Sequence, residues 1–159
     1  MIEKKITICY EEYASVEEMS LEDQKLVAAA LEAQKGSYSP YSQFQVGAAL
    51  LLEDGTVIKG ANQENIAYPS GLCAERVAMF AAGANYPDVA MDTLVIVGSD
   101  HGVLCDAPAS PCGACRQVMA EYQQKQDKPL KVILVGSKYI TKFACVDDLL
   151  PFIFDSLKV

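Results

Sequence analysis

Residues Val46 to Ala61 read VGAALLLEDGTVIKGA, and this stretch sets the architecture of the chain. Two apolar runs, 46–52 and 57–61, flank the four residues Glu53-Asp54-Gly55-Thr56. Asp-Gly is a strong signal for a tight hairpin, because glycine readily adopts the positive φ angles that such turns need. The stretch therefore predicts two antiparallel strands, the first pair of a sheet.

A helix is predicted on either side of this hairpin. The first opens at Ser20, whose hydroxyl suits a helix N-cap, and ends at Gly36. Its buried stripe is predicted from four apolar residues, Leu21, Val27, Ala28 and Leu31. The second helix is rich in alanine and runs from about Cys73 to Ala82, with Gly83 as its expected stop.

Two short apolar runs follow, and a third helix is predicted between them. The runs, 94–97 and 130–135, are typical of strands that are covered on both faces. Ser110 is the expected N-cap of the helix and Pro111 its first residue, and the helix continues to about Gln123.

The chain closes with a predicted strand near Tyr139 to Phe143 and a turn at Val146 to Leu150. The order of elements is α-β-β-α-β-α-β, which indicates the α/β class. We expect a three-layer α/β/α sandwich with a mixed central sheet of about five strands. One domain is expected over residues 1–159, in which 1–19 form an N-terminal extension of unassigned role.

Composition and charge limit the possible functions. The chain has 159 residues, of which 51% are hydrophobic, as in one globular domain. No apolar run approaches the ~20 residues of a membrane-spanning helix, and the N-terminus lacks the apolar core of a secretory signal. We therefore expect a cytoplasmic protein without a membrane partner. The net charge of −8 disfavours nucleic acid and favours a small, nearly uncharged ligand.

Cysteines occur at two predicted helix starts, in Cys73-Ala74-Glu75-Arg76 and Pro111-Cys112-Gly113-Ala114-Cys115-Arg116. The spacing of Cys112 and Cys115 places both sulfurs on one side of a helix, within reach of a single ion. A third thiolate from Cys73 leaves one coordination position open. Because catalytic zinc keeps a position for water, the pattern predicts a catalytic zinc. Glu75 is then the expected proton acceptor and donor.

Three thiolates around Zn²⁺ leave a net charge of −1, which makes the metal a weaker Lewis acid. Two features are expected to compensate for this charge. The N-termini of the two helices direct partial positive charge at the sulfurs, and Arg76 can donate a hydrogen bond to a thiolate. In an ideal helix Cys73 and Glu75 lie about 200° apart around the axis, so we expect Cys73 at the helix edge.

The cysteines also allow other interpretations. The three proposed ligands could be buried core residues or a redox pair, and Cys105 could supply a fourth ligand, which would make the site structural. Cys9 and Cys145 are expected to be ordinary cysteines without a metal. His101 is the only histidine; it follows a strand in a predicted turn, and we expect it to be exposed and catalytically idle.

Five stretches closely resemble the cytidine deaminase family, in its small homotetrameric form with three cysteine ligands. They are Tyr38-Ser39-Pro40-Tyr41-Ser42, Phe44-Gln45-Val46-Gly47-Ala48-Ala49-Leu50, Asn62-Gln63-Glu64-Asn65, the segment from Ala67 to Arg76 and the segment from Ser110 to Gln117. The resemblance covers most of the chain after Ser20. Gln45 stands where the family usually has proline.

The resemblance implies a zinc-dependent hydrolase that converts cytidine and 2′-deoxycytidine into uridine and 2′-deoxyuridine in pyrimidine salvage, with release of ammonia. In the mechanism of the family, zinc-bound hydroxide attacks C4 while Glu75 shuttles protons. The resemblance also implies one Zn²⁺ per subunit and a homotetramer with shared active sites. The residues alone fix neither the preferred ribose nor the oligomeric state.

The same resemblance assigns roles to individual residues. Asn62 and Glu64 are expected to hydrogen-bond the ribose hydroxyls, and Phe44 to stack on the pyrimidine. Ala74 would offer a backbone group to the base. Tyr68 and Phe154 would complete the pocket of a neighbouring subunit. Three further residues are expected to lie next to the metal ligands and to position them without binding the metal: Arg76, Ser110 and Gln117.

Three rival functions remain open at this point. A deaminase of the cytosine nucleoside antibiotic blasticidin S would use the same scaffold, although Asn62 and Glu64 suit ribose hydroxyls better. A structural zinc module would need a fourth protein ligand and would tolerate the loss of Glu75. A polynucleotide deaminase would need a basic groove and exposed aromatic platforms, and the acidic charge speaks against it.

Overall fold

A computed structural model describes residues 1–155 and shows three helices and seven strands. The helices are α1 (Leu21–Gln34), α2 (Ala74–Asn85) and α3 (Gly113–Gln126). The strands are β1 (Glu11–Tyr13), β2 (Phe44–Leu52), β3 (Val57–Ala61), β4 (Met91–Asp100), β5 (Val103–Leu104), β6 (Lys131–Val135) and β7 (Ile140–Phe143). Short 3₁₀ turns lie at Val16–Glu18, Tyr68–Ser70 and Val146–Asp148.

The strands form one mixed sheet in the order β1-β7-β6-β4-β2-β3, with β5 paired to the end of β4. Strands β4 and β6 are parallel, and the other pairs are antiparallel. The predicted hairpin is confirmed as β2 and β3, with Leu50 opposite Ile58. Its turn contains Gly55 at φ +88°, a conformation that favours glycine.

The sheet separates two apolar layers, which confirms the α/β/α sandwich. Side chains alternate across the sheet, so neighbouring residues of β2 enter different cores. Ala48 and Leu50 pack with α2 and α3 on one face, whereas Ala49 and Leu51 pack with α1 on the other. Both helix starts that carry the metal-binding motifs therefore lie on the same side of the sheet.

The sheet has seven strands instead of about five, because β1 and β5 are absent from the sequence prediction. Their lengths are three and two residues, too short to show an alternating pattern. β1 lies within the extension 1–19 and pairs with β7, so this segment forms one edge of the sheet. Its two glutamates, Glu11 and Glu12, are polar residues suited to an exposed edge.

The first helix is confirmed, but its predicted buried stripe is wrong. Ser20 caps it as expected, since its Oγ accepts a hydrogen bond from the Asp23 backbone N–H. Of the four stripe residues only Val27 is buried; the others, Leu21, Ala28 and Leu31, are exposed. The buried face consists of Asp23, Leu26, Val27 and Ala30. The predicted stripe is rotated around the helix axis relative to the buried face, and only Val27 belongs to both.

Gly83 does not end the second helix, which continues to Asn85. A Cβ atom at Gly83 would lie 2.3 Å from the Tyr122 hydroxyl oxygen, so the glycine lets α3 approach α2 closely. The third helix extends three residues beyond the predicted end and stops before Asp127, which has φ +52°. Within residues 1–155, no helix combines the length and apolarity that a membrane crossing needs.

Candidate metal-dependent active site

The N-termini of α2 and α3 bring three cysteine sulfurs together. The Sγ atoms of Cys73, Cys112 and Cys115 all lie within 4.8 Å of one another. Cys73 precedes α2, and Cys112 and Cys115 belong to the start of α3. Within the described chain this is the one cluster of three or more cysteine, histidine or acidic side chains that could hold a metal ion.

Both helices begin with a cysteine at the N-cap, which corrects the prediction for Ser110. The expected cap residue Ser110 and the expected first residue Pro111 lie outside α3. Cys112 is the N-cap, with an extended backbone of φ −68° and ψ 165°. Cys73 has nearly the same conformation, with φ −71° and ψ 153°. Neither side chain caps its own helix, so both sulfurs are free for a metal. Cys73 therefore lies at the helix edge, as expected.

Arg76 contacts the sulfur of Cys73, as its position three residues later predicts. Its Nη2 donates a hydrogen bond to Cys73 Sγ at 3.4 Å. The pKa of Cys73 falls to about 5, chiefly because the Cys115 thiol donates to its sulfur and also because Arg76 is near. The same contact raises the pKa of Cys115. Cys73 is thus the thiol of this pair that ionises first, and thiolate is the form that binds metal.

Glu75 is the buried carboxyl of the site. It lies in the first turn of α2, is only 4% exposed, and lines the same cavity as Cys73 and Cys112. Burial raises the pKa of Glu75, and the nearby Cys73 thiolate acts in the same direction. A carboxyl with a raised pKa can both give and take a proton near neutral pH.

The donor set fits zinc. Sulfur ligands select soft metals such as zinc, and three of them leave a fourth position open. Cys105, the alternative fourth ligand, is not part of the cluster; its backbone N–H bonds to Gly98 O. The three sulfurs lie at two helix N-termini, whose partial positive charge favours thiolate there.

A cavity of about 700 Å³ opens beside the sulfurs. It brings together most of the residues that the sequence singled out: Phe44, Asn62, Glu64, Tyr68, Cys73, Glu75, Arg76, Ser110 and Cys112. The Phe44 ring lies over Gly98, where a Cβ atom would be 3.1 Å from Phe44 Cζ. Ala74 is fully buried at the start of α2.

Asn62 and Glu64 fix the loop that forms one wall of this cavity. Asn62 Oδ1 accepts from the Val46 backbone N–H at 2.8 Å, and its Nδ2 donates to Phe44 O at 2.9 Å. Glu64 Oε2 accepts from the Tyr41 backbone N–H at 2.9 Å. These contacts place the Phe44 ring and both polar side chains on the same wall.

Two of the predicted residues, Phe154 and Gln117, do not line this cavity. Phe154 lies outside the residues that line the cavity of its own chain, and its side chain is 70% exposed. Gln117 does not contact the sulfurs in the described hydrogen-bond network; its amide binds the Phe154 backbone at 2.9 and 3.2 Å. His101 is exposed in its turn and pairs with Asp100, as expected for a residue outside the site.

Two residues around the site received no role from the sequence. Ser42 donates its hydroxyl hydrogen to Glu64, and this bond lowers the pKa of the Glu64 carboxyl. Arg116 donates to the backbone oxygens of Pro111 at 2.9 Å and Leu149 at 2.8 Å. The position of Arg116 beside Cys115 was a signal, but its partner Leu149 lies 33 residues away.

An open three-sulfur site beside a buried carboxyl, in a cavity, defines a metal-dependent hydrolase. Residues 20–127 match the family model described as the cytidine and deoxycytidylate deaminase zinc-binding region. The chain belongs to this family. It is therefore a deaminase, and its metal is zinc.

Individual relatives agree with this assignment. The chain is 50% identical over 103 residues to a cytidine deaminase of Halalkalibacterium halodurans, which covers 64% of this chain and 72% of the relative. It is 36% identical over 123 residues to that of Mycobacterium tuberculosis, covering 76% and 87%. The crystal structure of cytidine deaminase from Burkholderia pseudomallei superposes with a TM-score of 0.69 at 39% identity, covering 86% of this chain and all of that one.

Proposed function

We propose that the chain catalyses the hydrolytic deamination of cytidine and 2′-deoxycytidine, which yields uridine or 2′-deoxyuridine and ammonia. The position of Glu75 carries this proposal. Its buried carboxyl has a raised pKa, and it lies beside three convergent sulfurs in a cavity large enough for a nucleoside. The relatives that are named cytidine deaminases support the same reaction.

Glu75 is the proton carrier in this proposal. Zinc, when held by Cys73, Cys112 and Cys115, supplies an activated water at its open position. Glu75 would take a proton from the attacking water and give it to N3 of the cytosine ring while the oxygen of that water bonds to C4. It would then carry the remaining proton of that oxygen to the amino group, so that the C4–N bond breaks, ammonia leaves and the C4 carbonyl of the product forms. Both transfers need a carboxyl that changes its protonation state readily, which burial of Glu75 favours.

The cavity walls supply the proposed substrate contacts. Phe44 stacks on the pyrimidine, and a backbone group of Ala74 binds the base. Asn62 and Glu64 bind the ribose hydroxyls. The lowered pKa of Glu64 keeps its carboxylate ionised, and an ionised carboxylate is a strong acceptor for hydroxyl donors.

Arg76 and Ser110 support the ligands in this proposal. Arg76 offsets the charge of three thiolates through its bond to Cys73, which raises the electrophilicity of the metal. Ser110 lines the cavity next to Cys112. Gln117 holds the backbone of the segment that carries Phe154.

We also propose a homotetramer with shared active sites. Tyr68 at the cavity and Phe154 near the C-terminus are 77% and 70% exposed, and aromatic residues exposed to this degree suit a protein interface. In this assembly each of them completes a neighbouring pocket. We further propose that residues 1–159 act as one catalytic domain and that the enzyme works in the cytoplasm.

The test is an assay of the purified full chain with its zinc content measured on the same sample. Four substrates are compared: cytidine, 2′-deoxycytidine, 2′-deoxycytidine 5′-monophosphate and blasticidin S. We expect both nucleosides to release ammonia, activity to fall after chelation, and zinc to restore it. Zinc-loaded protein without turnover of either nucleoside would overturn the proposal, whereas turnover of blasticidin S alone would establish the rival substrate.

A further inference from the structure

The three sulfur ligands differ in how the protein holds them. Cys115 is buried in the core between the sheet and the helices. Cys73 receives a hydrogen bond from Arg76. Cys112 is exposed, its side chain does not cap its own helix, and the hydrogen bond recorded for its Sγ goes to another ligand, Cys115 Sγ, at 3.5 Å. Of the three, Cys112 therefore depends most on its backbone for a fixed position.

Arg116 holds the backbone on both sides of Cys112. Its own backbone N–H donates to Cys112 O at 3.0 Å, and its side-chain Nε donates to Pro111 O at 2.9 Å. The Pro111 oxygen and the Cys112 nitrogen belong to one rigid peptide plane. Holding that oxygen therefore restrains the plane, which contains the Cys112 Cα and from which the Cys112 side chain projects.

The other end of the Arg116 side chain is anchored in the core. Its Nη1 donates to Leu149 O at 2.8 Å. Leu149 is buried, and it lies next to Val146, which is fully buried in the same core cluster. Arg116 thus connects the most exposed ligand to a firmly packed point in the C-terminal segment, which we define as residues 146–154.

Helix α3 holds this C-terminal segment at two further points. Gln117 binds the backbone of Phe154, and Gln123 Oε1 accepts from the Val146 backbone N–H at 3.0 Å. One helix therefore carries two metal ligands and three side chains that hold the C-terminal segment. Of these three side chains, only Arg116 also bonds, within the described hydrogen bonds, to the backbone next to a metal ligand, at Pro111 O.

We propose that Arg116 is a positioning residue that couples zinc binding to docking of the C-terminal segment. When Leu149 is packed in the core, it holds the Arg116 side chain, which in turn holds the backbone at Cys112. When zinc binds Cys112, the neighbouring Pro111 oxygen stays in position to accept the hydrogen bond from Arg116. Coupling of this kind is reciprocal. The inference rests on the zinc site of the proposed function and extends it to a residue outside the ligand and substrate contacts.

The first test measures zinc release from the full-length, zinc-loaded protein after addition of a chelator. In Arg116→Met we expect zinc affinity to fall and release to accelerate about tenfold, as for the loss of other residues that orient metal ligands. Arg116→Lys, which keeps the charge and can reach one carbonyl, should lie between this variant and the parent. Lys138→Met is the matched control, since it removes a charge that pairs with Asp106 in the loop before Cys112.

The second test measures hydrogen exchange at the amides of Leu149 and Leu150, which both bond to Val146 O. We expect removal of zinc to speed this exchange in the parent protein. In Arg116→Met the exchange should no longer depend on zinc. A residue that merely stabilised the fold would speed exchange equally with and without the metal.

Either of two results would overturn the proposal. One is zinc release from Arg116→Met at the rate of Lys138→Met, and the other is zinc-independent exchange at Leu149 and Leu150 in the parent. If Arg116→Met does not fold, Arg116→Lys and the parent exchange data decide the question. A parent protein that binds no zinc at all would instead contradict the proposed function.

Discussion

Helices α2 and α3 begin alike but contribute differently to the active site. Each has a cysteine at its N-cap in extended conformation, and neither cysteine side chain caps its own helix. The first turn of α2 carries Glu75, which is buried, and Arg76, which contacts a sulfur. The first turn of α3 contains no acidic residue, and its Gly113 and Ala114 are exposed.

This difference between the two first turns suggests that α2 serves mainly the reaction and α3 mainly the binding of the metal. The clustered sulfurs lie at the N-termini of both helices, where the helix dipole favours negative charge. Only α2 adds the proposed proton carrier, Glu75, and a side chain that donates to a sulfur, Arg76. Helix α3 contributes two ligands and, through Arg116, a connection to the C-terminal segment. Apart from the cysteine ligands themselves, changes in the first turn of α2 should therefore affect turnover more than changes in the first turn of α3.

The largest effect is expected for Glu75→Gln at the start of α2. Without a proton carrier, kcat should fall about 10²- to 10⁴-fold. Zinc should remain bound, because Glu75 is not one of the three clustered ligands. Glu121→Gln, an exposed position on α3, is the matched control and should keep parental kcat. Parental turnover in zinc-loaded Glu75→Gln would remove Glu75 from the mechanism.

A smaller loss is expected for Arg76→Gln. This change removes the charged donor to Cys73 Sγ, so the thiolates keep more of their charge and the metal becomes a weaker Lewis acid. Turnover should fall about 10- to 100-fold at saturating zinc. Arg76→Lys, which keeps the charge, should recover part of the loss. Equal turnover of the glutamine and lysine variants would mean that charge at this position is unimportant.

Gly60→Ala tests how closely α2 must pack against strand β3 of the sheet. A Cβ at Gly60 would lie 2.4 Å from Ala74 O and 2.7 Å from Ala78 N, both backbone atoms of α2. The helix start would have to move, and such overpacking costs about 1–3 kcal/mol. We expect a lower free energy of unfolding in urea, together with reduced kcat. A variant as stable as the parent would show that α2 can shift freely.

Local signals predicted the parts of the molecule that depend on local chemistry. Asp54-Gly55 predicted the hairpin, Ser20 predicted the cap of α1, and the spacing of the cysteines predicted a sulfur cluster; the structure contains all three. Each of these depends on residues close together in sequence or on a motif whose ligand chemistry is restrictive. They required no knowledge of the tertiary packing.

The wrong predictions came from contacts that a local pattern does not contain. Gly83 had the signature of a helix end, but Tyr122 of another helix packs against it and the helix continues. Ser110 followed by Pro111 had the signature of a helix start, but Cys112 takes the cap, two residues later. The partner of Arg116, Leu149, lies 33 residues away and is likewise absent from any local pattern.

The smallest effect is expected for Gly113→Ala, the counterpart of Gly60→Ala at the start of α3. A Cβ at Gly113 would meet nothing within 4 Å, and the residue is exposed. Alanine reduces the conformational freedom of the unfolded chain, so the variant should gain about 0.4–1 kcal/mol in the free energy of unfolding. Urea unfolding with an unchanged m-value measures this gain, and zinc content should not change. Loss of zinc from Gly113→Ala would mean that the start of α3 is as tightly constrained as that of α2, and the contrast between the two helices would fail.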